Sequence, residues 1–63
     1  MVTPITNKAG EVVQWVDWCQ REGKPHGASH MRDYILRRWP DLDAEVRHQI
    51  FCRTEELLQM ADR

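Results

Sequence analysis

The sequence predicts an all-α fold of three helices, and three observations carry that prediction. Apolar residues recur at helical spacing in three separate segments. No stretch sustains the apolar–polar alternation of a half-buried strand. Glycine and proline gather between the segments, at Gly23, Pro25, Gly27 and Pro40, where a chain of helices needs its turns. The expected architecture is a single small domain over residues 1–63. It has a short extended arm at 1–6 and helices at about 8–21, 29–39 and 42–61, and it pairs with a second copy.

The arm is expected because Pro4 has no N–H to give a helix, and Val2, Ile5 and Thr6 suit an extended chain. In the first helix Asn7 is the candidate N-cap, and Glu11 sits in the early turns, where the helix dipole favours negative charge. At about 100° per residue, Val12, Trp15, Val16 and Cys19 share one face. Val13 flanks that stripe. Trp18 projects to the other side, among Glu11 and Gln14. Gly23 and Pro25 end the helix.

Ser29 is the expected N-cap of the second helix. Met31, Ile35 and Trp39 follow at i, i+4 and i+8, with Tyr34 and Leu36 on the flanks. Pro40 stops this helix, because proline disfavours helical geometry in the residue before it. Asp41 or Asp43 caps the third helix, and Glu45 adds negative charge to its first turn. Val46, Ile50, Leu57 and Ala61 form one apolar stripe there, and Phe51 and Leu58 an adjoining one. A face that wide suits a helix packed against two neighbours.

The chain has 63 residues, 41% hydrophobic and 30% charged, with a formal net charge of −1. A chain this short buries only about 60% of its extended surface and is marginal without help from a metal, a disulfide or a partner. Helix three is expected to be long relative to the other two. The apolar end formed by Leu57, Leu58, Met60 and Ala61 is expected to pair with a symmetry mate, making a homodimer. No apolar run approaches the ~20 residues of a membrane span. Met1–Thr6 lacks the basic and apolar regions of a secretory signal, and Cys19 and Cys52 are too few for a disulfide framework. A cytoplasmic protein with reduced thiols is expected.

Catalytic arrangements are weak. Ser29 is the one serine and has histidines nearby, but no acid is placed to orient a base. No glycine-rich phosphate loop is present. The groups able to ligate a metal are Cys19, His26, His30, His48 and Cys52, with His48 and Cys52 at i and i+4. Their spacing matches no compact zinc signature, so neither a metal nor another cofactor is expected.

Two features point to binding. Trp15, Trp18 and Trp39 are three of the five aromatic residues, and Trp18 lies off the core stripe. Tryptophan and arginine anchor protein interfaces most often, so Trp18, with Arg21 at i+3, is a candidate hot spot. The middle of the chain is basic: Arg21, Lys24, Arg32, Arg37 and Arg38 outnumber Glu22 and Asp33. The first expectation is a non-enzymatic protein-binding module (an adaptor, inhibitor or antiactivator) that masks a partner protein with Trp18 and neighbouring basic side chains such as Arg21, while Leu57, Leu58 and Met60 form its interface with a second copy. Such small helical proteins are common products of phages and mobile elements. The alternative is a helix-turn-helix-like DNA-binding regulator. Lys24 and Arg38 would touch phosphates, Ser29, His30 and Arg32 would approach bases, and Arg37 would add charge. The near-neutral charge and the acidic start of helix three weigh against it.

Overall fold

The computed structural model describes residues 4–61. It contains three helices, α1 (Pro4–Glu22), α2 (Ala28–Arg38) and α3 (Ala44–Ala61), and no strand among the described residues. The expected extended arm is corrected at residues 4–6, which form the first turn of α1; residues 1–3 lie outside the described residues. The physical reason lies in Pro4 itself. At the start of a helix its missing N–H has no intrahelical acceptor to lose, and its fixed φ already suits the helix. Asn7 is consequently inside α1 and does not cap it.

The end of α1 is a Schellman turn. Gly23 takes φ +70°. Its N–H donates to the Gln20 carbonyl at 3.4 Å, and the Lys24 N–H donates to the Cys19 carbonyl at 2.8 Å. These two bonds satisfy carbonyls that the helix end would otherwise leave open. The cap of α2 is Gly27, with extended backbone and no side-chain hydrogen bond, so Ser29 lies within the first turn rather than at the cap. Trp39 closes α2 from outside the helix, at φ −131° and ψ 66°, away from the helical region that the following proline disfavours.

The segment 39–43 then turns the chain, and the Leu42 N–H donates to the Trp39 carbonyl at 3.3 Å. This turn delays α3 to Ala44, two residues later than expected, and with α1 extended back to Pro4 the expected excess length of helix three is corrected: α3 has 18 residues and α1 has 19. Asp43, one of the two expected caps, precedes it, and its carbonyl accepts the first helical bond, from the Arg47 N–H at 3.0 Å. The Arg47 guanidinium also donates to the carbonyls of Leu42 and Pro40, clamping the turn onto the helix it introduces.

The core draws on all three helices. It comprises Ala9, Val12, Val16 and Cys19 from α1, Met31 and Ile35 from α2, and Ile50, Phe51 and Thr54 from α3. Thr54 is fully buried because its hydroxyl finds a partner within its own helix, donating to the Ile50 carbonyl at 2.7 Å. Trp15 was expected on the core stripe. It is half-buried and stacks on Tyr34, with ring centroids 4.6 Å apart and planes 17° from parallel. The α1–α3 interface is the broadest and α1–α2 the narrowest.

The extents are 30 × 25 × 14 Å. The shortest is close to one helix–helix spacing, about 8–10 Å, plus the ~5 Å width of a Cα cylinder. The fold is therefore two helix layers thick, and the grooves between its helices open to solvent. No helix among the described residues is long and apolar enough to cross a membrane.

Candidate protein interface

The packing of the last turns of α1 sets the phase of Trp18. Val16 and Cys19 are buried, so the residue between them on the opposite arc faces out, and Trp18 is 44% exposed. The Schellman turn then folds the chain back beside it. The Lys24 ammonium stands over the Trp18 ring, 5.4 Å from its centroid. The His26 Nδ1–H donates to the Lys24 carbonyl at 3.0 Å and braces the loop that carries that lysine. Arg21, one turn beyond Trp18, is exposed and pairs with Asp17 at 3.7 Å. The result is one ring face covered by a cation on a flexible stem, a contact that a partner can displace or share.

At the end of α3, Leu57 and Leu58 are half-buried, and Leu58 packs against the core. Met60 is 64% exposed. Of the expected apolar end, Met60 therefore offers the most surface. Ala61 ends α3, and nothing is described of its side chain.

Of the residues of the DNA-binding alternative, five lie on α2 and Lys24 on the loop before it. Ser29 and His30 are exposed on the first turn of α2. Arg32 lies over the Phe51 ring at 4.7 Å. Arg37 pairs with Asp33 at 3.1 Å, and Arg38 pairs with Glu11 at 3.4 Å while standing over Trp39 at 5.5 Å. Lys24 is on Trp18. A phosphate backbone would have to compete with carboxylates for Arg37 and Arg38.

The metal candidates do not assemble. His48 Nε2 and Cys52 Sγ lie 3.5 Å apart on one face of α3, whereas Cys19 is buried in the core. Among the described residues no three of histidine, cysteine, aspartate and glutamate come close enough to hold a metal ion.

A further surface was not legible as a site in the sequence. A groove of about 430 Å3 runs between α2 and α3, with Ile35, Leu36 and Phe51 as its apolar floor and Arg32, Arg47 and His48 along it. Leu36 is 47% exposed. The available signal was its flanking position on the α2 stripe, which placed it at the margin of the core. Arg47 gave no signal, because its role depends on the turn geometry of residues 40–42. A second groove, of about 480 Å3, lies between α1 and α3 near His26 and Leu58. Comparison with protein-family models, curated proteins and solved structures finds no match.

Proposed function

We propose that this chain is a small, non-enzymatic, cytoplasmic protein-binding module of the adaptor, inhibitor or antiactivator kind, working as a homodimer and masking a surface of its partner. The observation that carries this reading is Trp18. The other two tryptophans are half-buried, whereas this one leaves 44% of its surface to water. An indole offers a large rigid apolar area with a polar edge, at little entropic cost on binding. Arg21 and Lys24 flank it with groups that suit a carboxylate on the partner. Met60 supplies exposed apolar surface at the α3 end, in support of self-pairing.

The test compares wild type with Trp18→Ala in affinity capture from producing cells, followed by mass spectrometry. The variant keeps the helical circular dichroism signal and its melting temperature, and loses the protein partner. A variant that unfolds would place Trp18 in the core and remove this reading. Sedimentation over a range of concentrations tests the homodimer, and a constant monomer mass rejects it. The DNA-binding alternative has less support, because Arg37 and Arg38 of its set are paired with carboxylates and the chain carries a net charge of −1. A mobility shift on random DNA that falls steeply with salt would restore it.

A further inference from the structure

The six arginines of the described residues divide into two sets. Arg21, Arg37, Arg38 and Arg53 each reach a carboxylate, on Asp17, Asp33, Glu11 and Glu56. Among the described residues Arg32 and Arg47 reach none, and both line the α2–α3 groove. His48 stands beside them, and no carboxylate lines the groove. The present contacts of the two arginines are a ring face for Arg32 and the carbonyls of Pro40 and Leu42 for Arg47. A guanidinium carries five N–H donors in a planar fork, so each keeps donors for an incoming anion.

The apolar side chains of the same groove are Ile35 and Phe51, both buried, and Leu36, which is half-exposed. A lone anion would satisfy the arginines and leave Leu36 in water. An apolar body without charge would cover the floor and leave the arginines facing it unanswered. The ligand that meets both demands has an apolar stripe flanked by carboxylates, and a trough between two helices suits a third helix laid along it.

We infer that the α2–α3 groove is the docking site for an acidic amphipathic helix of a partner protein. Its apolar residues at i, i+3 or i+4, and i+7 cover Leu36 and the groove floor, and its flanking Asp or Glu residues engage Arg32 and Arg47. This rests on the reading of the chain as a binding module and adds a second surface to it, separate from Trp18.

The test uses the full-length protein, 15N-labelled, and two synthetic helical peptides. Both carry the same Leu and Phe stripe; one has Glu at the flanking positions and the other Lys. The Glu peptide shifts the amides that line the groove and binds roughly tenfold or more tighter than the Lys peptide. Its affinity falls as salt rises from about 50 to about 500 mM. Arg32→Glu and Leu36→Glu, both at exposed positions, each weaken it by about tenfold or more without changing the helical signal. Trp18→Ala leaves this binding unchanged, so failure at one surface is distinguishable from failure at the other. Absence of binding, equal binding of the Lys peptide, or shifts confined to other regions would overturn the inference. So would a monomer–dimer equilibrium of the protein alone that Leu36→Glu dissolves, since that result would give the groove to a second copy.

Discussion

The same substitution at two glycines of one helix and its cap is expected to change stability in opposite directions. Gly10 lies within α1 with ordinary helical backbone, and an added Cβ would meet nothing within 4 Å. Gly23 is the Schellman glycine at φ +70°, and an added Cβ there also meets nothing within 4 Å. Steric crowding by neighbours therefore drops out of both, and backbone conformation alone decides the sign. At Gly10, alanine relieves the entropic cost of glycine in a helix and adds about 0.5–1 kcal/mol of stability. At Gly23, alanine must hold the left-handed region, which costs about 1–2 kcal/mol. A stiffer unfolded chain returns about 0.4–1 kcal/mol of that, leaving a net loss near 1 kcal/mol. A domain this small has roughly 3–9 kcal/mol in all, and each kcal/mol moves its melting temperature by about 4–8 °C. Gly10→Ala and Gly23→Ala should thus differ by about 2 kcal/mol, with wild type between them. Urea and thermal unfolding by circular dichroism measure this, at one fixed protein concentration so that any self-association stays constant. Gly23→Ala at or above wild-type stability, or Gly10→Ala below it, would refute the backbone assignment at that residue.

Two neighbours on α2 test the phase of that helix. Ile35 is 1% exposed and Leu36 47% exposed, so Ile35→Ala loses about 2–5 kcal/mol, a large share of the total, while Leu36→Ala loses well under half as much. Equal losses by urea denaturation would show that α2 is rotated. For Thr54, the carbonyl of Ile50 that its hydroxyl meets lies one helical turn back, at the position its own N–H also addresses. Thr54→Val therefore leaves no orphaned acceptor and changes stability by less than about 1 kcal/mol, whereas Thr54→Ser opens a methyl-sized void and loses about 1 kcal/mol. A loss above about 2 kcal/mol for the valine variant, at unchanged denaturant slope, would give the hydroxyl a larger role.

The helices were legible in the sequence wherever a local rule governs. Periodicity placed Val12, Val16 and Cys19 in α1, Met31 and Ile35 in α2, and Ile50 and Phe51 in α3, and all seven are buried. Pro40 ended α2, and Gly23 ended α1 one residue beyond the expected limit. The failures occur where one residue type satisfies two rules. Pro4 signals a break inside a helix and a good start at its first turn, and only the position of the turn decides between them. Ser29 is a strong cap by type, yet the helix begins one residue earlier at Ala28, so glycine takes the cap. Thr54 is polar by type and becomes a core residue because the helix itself supplies its acceptor. The groove was illegible for a different reason. It joins Arg32 and Leu36 to Arg47 and His48 across the 39–43 turn, and no periodicity within one element connects them.

Four cations of this fold share one arrangement that bears on recognition. Lys24 covers Trp18, Arg32 covers Phe51, and Lys8 and Arg38 stand over Trp39 at 6.0 and 5.5 Å. Each of these three rings thus carries a cation, whose apolar stem shields it while the charged head stays in water. An exposed contact of this kind is worth about 0.5–1 kcal/mol, close to the 0–1 kcal/mol of an exposed ion pair. A partner's carboxylate can therefore draw the cation aside at little net cost. The uncovered ring then meets the partner's apolar body, and every 100 Å2 of apolar surface so removed from water contributes about 2.5 kcal/mol. A partner lacking the carboxylate must displace the cation without compensation, and one lacking the apolar body leaves the ring in water. The cation-covered ring thereby selects for acidic and apolar groups together. Trp18 with Lys24 and Phe51 with Arg32 place that device at two separate surfaces of a chain whose net charge is close to zero.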